Sequence, residues 1–107
     1  MASAYINAKV DLTGTGATVL YTAPSITTAI ITSILVSEDT GSSDTITVTL
    51  TNAAAAVFSL FKVKAVSANT TVELLTRPLV VAEAEIIKVT AATGGRLHVV
   101  ASLLELS

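Results

Sequence analysis

Thr45-Ile46-Thr47-Val48-Thr49-Leu50-Thr51 alternates without a fault, with Ile46, Val48 and Leu50 pointing one way and four threonines the other. A period of two is the signature of a half-buried strand, and a row of threonines suits the pleated outer face while wetting it without charge. On its N-terminal side, Glu38-Asp39-Thr40-Gly41-Ser42-Ser43-Asp44 reads as a polar loop. On its C-terminal side, Asn52–Ala56 reads as a turn or a short helical turn, after which alternation resumes over Val57–Val66 with Lys62 and Lys64 on one face. The lysines suit an exposed edge strand, where charge blocks unwanted pairing. Phe58 and Phe61 fall on opposite faces of that strand, so one of them at most is expected in a core.

The same grammar covers the rest of the chain. Ala4, Ile6, Ala8, Val10 and Leu12 alternate with Tyr5, Asn7, Lys9 and Asp11 before a break at Thr13-Gly14-Thr15-Gly16. Short strands follow at Ala17–Thr22, Thr28–Ser37, Thr70–Leu75, Glu85–Ala91 and Arg96–Leu106, separated by Gly, Pro, Asn and Ser at the breaks, including Arg77-Pro78. No stretch predicts a helix. About eight short strands at this spacing predict an all-β fold, an antiparallel β-sandwich of jelly-roll type, as a single domain over 1–107.

Composition sets a second constraint. Of the 107 residues, 51% are hydrophobic and only 13% charged, and no charge occurs between Asp11 and Glu38. Soluble domains carry about 25% charged residues, and a chain this small exposes much of its shell. The deficit points to a partner that covers part of the surface. With no Cys there is neither a disulfide frame nor a thiolate metal site, and a net charge of −2 gives no electrostatic footprint for nucleic acid or anionic membrane. The segment Met1–Tyr5 lacks the basic and apolar regions of a signal peptide, and no apolar run approaches a membrane span. Synthesis in a cytoplasm is therefore expected.

Two strands carry apolar residues on both faces, against the rule for a two-layer sandwich. In Thr28–Ser37, regular alternation puts Ile30, Ile34 and Val36 on one face and Ala29, Ile31 and Leu35 on the other. In Arg96–Leu106, Leu97, Val99, Ala101 and Leu103 face one way, and Val100, Leu104 and Leu106 share the other with His98 and Ser102. The strips expected to form a subunit interface are Ile30, Ile34 and Val36, and Val100, Leu104 and Leu106. The competing reading is a bulge that buries both faces inside one molecule. Three aliphatic side chains offer about 5–9 kcal/mol gross on burial, of which association entropy removes much.

Chemistry finds little footing. His98 is the sole histidine and no Gly-x-Ser-x-Gly elbow accompanies the serines, so it reads as a strand residue and no catalytic residue is expected. Glu38, Asp39 and Asp44 with Gly41 are the best candidates for a Ca²⁺ loop, but their spacing matches no EF-hand and they read as turn caps. Gly14-Thr15-Gly16 lacks the Lys of a phosphate loop, and Glu83 with Glu85 has no cleft to define a carboxylate pair. No metal or cofactor is expected.

Thr18-Val19-Leu20-Tyr21-Thr22-Ala23-Pro24, followed by Thr27-Thr28-Ala29-Ile30-Ile31-Thr32-Ser33-Ile34-Leu35-Val36, resembles a pattern of small virion proteins of tailed bacteriophages. There a "tvYtaP" strand leads through a short turn into a "t-a-i-i-s-I-l-v" strand, then a loop and a Thr-rich strand. Arg77–Val89 resembles the later "p-l-v-L-a-G-D-x-I-x-v" stretch, with Ala84-Glu85 standing where Gly-Asp is usual. The resemblance covers residues 17–91 and implies a β-sandwich accessory protein of the virion, with no catalytic residues to transfer. The function it implies is a capsid decoration (cement) subunit that stabilises the particle through apolar contacts. A tail, neck or fibre component, or a receptor- or glycan-binding module, is the alternative. The expected partners are further copies of the chain and the major capsid or other virion proteins. The expected location is the virion, assembled in the host cytoplasm.

Overall fold

The strands pair in a nested order, as if one long hairpin had been rolled up. A computed structural model describes residues 3–107; Met1 and Ala2, the start of the segment read for a targeting signal, lie outside the described residues. Among the described residues nine strands follow in chain order: β1 (Ser3–Leu12), β2 (Thr18–Thr22), β3 (Thr28–Glu38), β4 (Asp44–Thr51), β5 (Val57–Val66), β6 (Thr71–Glu73), β7 (Leu79–Val81), β8 (Ile86–Ala91) and β9 (Leu97–Leu106). The hairpin tip is the β4–β5 turn, where Asn52 Oδ1 accepts from the backbone N–H groups of Ala54 (3.0 Å) and Ala56 (2.9 Å). Outward from this tip, β3 pairs with β6 and β7, β2 with β8, and β1 with β9, all antiparallel. One sheet runs β1-β9-β3-β6, with β7 also on β3, and the other runs β2-β8-β4-β5. This is the jelly roll expected from the sequence.

Nine strands replace the expected eight because one strand position is filled twice. Pro78 has no N–H to give a ladder, and the chain leaves β3 between β6 and β7 before rejoining it. The core lies between the sheets. Leu12, Ala29, Ile31, Ile34, Val36, Leu97, Val99, Ala101 and Leu103 come from the first sheet, and Ile46, Val48, Ile87, Val89 and Ala91 from the second. Tyr21, on β2, donates its hydroxyl to the Glu105 carboxylate on β9 and so ties the two sheets together. Burial first, then the neighbouring carboxylate, pushes the Tyr21 phenol well above its ordinary range.

Bulges decide which side chains reach the core. In β3, Ile31 pairs with Leu103 and Ser33 with Ser102, leaving Thr32 as an extra residue. The extra residue reverses the parity of everything after it. Glu73 holds the kink: its carboxylate accepts from the Ser33 hydroxyl, from the Ile34 N–H (2.8 Å) and from the Leu75 N–H (3.2 Å). In β5, Phe58 pairs with Leu50 and Phe61 with Val48. The extra residue between them puts both rings on the inner side, correcting the opposite-face expectation. Phe61 packs on the core and Phe58 remains exposed at the edge.

Where the resembled phage pattern has Gly-Asp, Ala84-Glu85 keeps the tight turn. Glu85 N–H donates to Ala82 O (3.0 Å), and Ala84 takes the left-handed conformation, at φ 65°, that a glycine would adopt without strain. Gly94 answers a different demand, since a Cβ there would lie 2.5 Å from the backbone oxygen of Thr13.

Candidate assembly surface

The outer face of the β1-β9-β3 sheet is laid out in rows by strand register. One row is apolar across the sheet: Tyr5 on β1 pairs with Leu104 on β9, Leu104 with Ile30 on β3, and Ile30 with Val80 on β7. Tyr5 is 89% exposed and Val80 57%. Next comes a polar row, Asn7–Ser102–Ser33; Asn7 and Ser102 with Thr32 floor a shallow trough of about 270 Å³ beside Tyr5 and Leu104. Beyond that, Lys9–Val100–Leu35–Glu73 sets two half-exposed aliphatics between opposite charges. The last row, Asp11–His98–Ser37–Thr71, is wholly polar.

Of the six residues expected at a subunit contact, Ile30, Val100, Leu104 and Leu106 share this outer face. Ile30 and Leu104 are direct cross-strand partners, while Leu106 sits between Ser3 and Thr28 at the end of the sheet. Ile34 and Val36 do not join them. Both are fully buried in the core of the single molecule, because the Thr32 bulge turns them inward and turns Leu35 outward. The bulge thus exchanges the two faces of β3 from Ser33 onward, burying Ile34 and Val36 and leaving Leu35 half-exposed. Tyr5, Leu35 and Val80 are the members of the surface that sequence reasoning missed. Alternation groups Tyr5 with polar neighbours, strict period two gives Leu35 the wrong parity, and Val80 lies between the strands expected at Thr70–Leu75 and Glu85–Ala91.

At the far end of the sandwich the acidic loop is committed to its own backbone. Glu38 is only 1% exposed. Its two oxygens accept from the Thr40 N–H (2.8 Å), the Thr40 hydroxyl, the Gly41 N–H (3.1 Å) and the Asn69 N–H (3.0 Å), clasping the β3–β4 loop to the β5–β6 loop. Burial alone would raise the Glu38 carboxyl, but the Thr40 hydroxyl and the three backbone donors outweigh it and hold the group at about 2. Asp44 likewise accepts from Thr45 N–H (2.8 Å) and Thr93 N–H (3.2 Å). With those oxygens engaged, the loop reads as a pair of backbone clasps. His98 Nε2 lies 3.3 Å from Asp11 Oδ1, and Nδ1 lies 3.8 Å from Asp39 Oδ2, all three side chains being solvent-accessible. Among the described residues no group of three or more His, Asp or Glu side chains could hold a metal ion.

Magnitudes limit what the apolar row can do alone. Full burial of an aliphatic side chain is worth about 1.5–3 kcal/mol, and these residues are already partly covered. Association costs on the order of 4–15 kcal/mol in lost freedom. One row gives a weak contact, so a stable attachment needs the Val100–Leu35 pair as well, or several copies acting together.

Two solved structures are similar to this chain to different degrees. A structure of Bacillus endospore appendages, described as a novel family of disulfide-linked pili, superposes with a TM-score of 0.54 at 9% identity, over 99% of this chain and 85% of that one. The structure of infectious bursal disease virus, Gt strain, matches 98% of this chain and 30% of that one, with a TM-score of 0.45 and 8% identity. No protein-family model and no curated protein matches the sequence. At 9% identity the likeness to the first is one of fold alone.

Proposed function

We propose that this chain is a structural subunit that self-associates and coats a larger particle, as a capsid decoration (cement) protein of a virion does. The carrying observation is the unbroken apolar row Tyr5–Leu104–Ile30–Val80 on a face that the molecule's own core does not use. The scarcity of charge and the resemblance to small phage virion proteins support the same reading. The likeness to a pilus subunit is compatible with it, but the link cannot be the same, because a chain without Cys forms no disulfide. Its neighbours on the particle are further copies and the major capsid protein, and the location is the virion. Contacts act through shape and apolar area, with no chemical step.

The test is Leu104→Asp. Leu104 lies on the outer face, so the charge leaves the core intact while disrupting the centre of the row. Size-exclusion chromatography with light scattering is expected to give multimers for the wild type and smaller species for the variant, with melting temperatures within a few degrees. A wild-type chain that stays monomeric at millimolar concentration, or a variant that assembles unchanged, overturns the reading.

A further inference from the structure

Among the described residues five strands lie at the four sheet edges, β6 and β7 sharing one, and four of the five are blunted. β5 carries two register shifts, a left-handed Val63 (φ 53°), and Lys62 and Lys64. β6 and β7 are three residues each and separated at Pro78. β2 is five residues long and bulged between Val19 and Tyr21. These are the devices by which sheets avoid pairing with other chains. β1 carries Lys9 and Asp11 but has no bulge, break or left-handed residue. It runs ten residues in continuous register with β9, from Ser3↔Leu106 to Leu12↔Leu97, and its second edge pairs with no strand among the described residues.

We propose that β1 pairs antiparallel with β1 of a second copy about a two-fold axis through Ala8, joining the two β1-β9-β3 sheets into one. This deepens the self-association just proposed but uses the edge of the sheet instead of its outer face. The register follows from the sequence. A two-fold normal to the sheet keeps inner residues opposite inner residues, so partner numbers sum to an even value. A sum of 16 pairs every residue from Ala4 to Leu12. On the inner side Ile6 meets Val10, Ala4 meets Leu12, and Ala8 meets itself, so the two cores become continuous. On the outer side Asn7 meets Lys9 and Tyr5 meets Asp11, with no like charges directly opposed. A sum of 14 pairs as many residues, Ser3–Asp11, but leaves the buried Leu12 out and sets Ile6 against Ala8 in place of Val10; a sum of 20 would place Lys9 opposite Asp11 but leave only Ala8–Leu12 paired. The overlap about Ala8 is self-complementary, as a two-fold interface must be. It also carries the apolar row Tyr5–Leu104–Ile30–Val80 onto both halves of a common face.

Cross-linking tests the register directly, because the chain has no cysteine of its own. In Ala8→Cys the two thiols face each other across the axis, at the separation of directly opposed strand residues. Mild oxidation of the full chain is expected to give a covalent dimer roughly 100-fold faster than Ser59→Cys, an exposed position on β5, because paired strands raise the effective concentration to millimolar. Mixing Asn7→Cys with Lys9→Cys, both exposed and harmless to the fold, should link the two chains to each other faster than either links to itself. Equal rates at Ala8 and Ser59, or no preference for the mixed pair, overturn the proposal. Repeating the Ala8→Cys reaction in the Leu104→Asp background separates the two surfaces. Linking that persists there supports an edge contact independent of the outer face, and linking that vanishes there overturns it.

Discussion

Deleting Thr32 should leave the protein folded, although it removes a residue from the interior of a long strand. A one-residue deletion in a sheet ordinarily turns the remainder of the strand inside out. Thr32 is the extra residue of the β3 bulge, so without it Ile31↔Leu103 and Ser33↔Ser102 become consecutive pairs and Ile34 and Val36 still point inward. The direct loss is the Thr32 hydroxyl bond to Ser102 O (3.1 Å), worth about 0.5–1.5 kcal/mol, with some loosening of the Glu73 cradle. The melting temperature should fall by roughly 4–8 °C per kcal/mol. Deleting Leu35 instead has no such remedy. If the bulge stays, Val36 turns outward and Ser37 inward; if the bulge is absorbed, Ile34 turns outward and Ser33 inward. Either outcome exposes one fully buried aliphatic, costing about 1.5–3 kcal/mol, and buries a hydroxyl, costing about 1–3 kcal/mol. Thermal unfolding followed by circular dichroism should therefore rank the wild type above ΔThr32 and ΔThr32 well above ΔLeu35. A ΔThr32 chain as unstable as ΔLeu35 would refute the parity argument and the placement of Ile34 and Val36 with it.

Other consequences are narrower. Glu38 is held at about 2, below its ordinary 4.5; its contribution to stability is thus complete above pH 4.5 and lost as pH falls through 2. The gap in melting temperature between wild type and Glu38→Gln should be wide at pH 7 and close across that window, and a gap that does not change with pH argues against the clasp. Gly94→Ala forces a methyl against the Thr13 carbonyl and should destabilise by about 1–3 kcal/mol in urea titration. Val63→Gly relieves a β-branched residue at φ 53° and should stabilise by about 0.5–1 kcal/mol, the left-handed penalty less glycine's added chain entropy.

Much of the fold was legible because alternation is a local signal. β4 and β9 read correctly residue by residue, including the outward turn of Val100, Leu104 and Leu106, since neither is interrupted. β3 misled at one place. Ile31-Thr32-Ser33-Ile34 sets two small polar residues in succession inside an apolar run, and that doublet is the trace of the bulge. Counting through it at strict period two put Ile34 and Val36 outside and hid the inward turn of Glu38. A charged residue at the end of an inner face then has to find donors, and Thr40, Gly41 and Asn69 supply them. Leu60 disguised the phase of β5 in the same way. Strand partners were illegible for a different reason: β1 meets β9 across the whole length of the chain, and nothing local to either names the other.

The surplus of apolar residues divides once the core is known. Ile34 and Val36 belong to an interior that is already closed, formed from both sheets and sealed at its ends by the Glu38 clasp and the Tyr21–Glu105 tie. Tyr5, Ile30, Val80 and Leu104 contribute nothing to that interior, since their register places them on the opposite side of the sheet. The fold gives no reason for them to be apolar; Thr45, Thr47 and Thr49 do the equivalent work on the other sheet with hydroxyls. A jelly roll could have used threonine at all four positions and kept its core unchanged. The self-association proposed above accounts for this difference between the two outer faces, and the face with the apolar row adjoins the one edge strand that is long and unbroken.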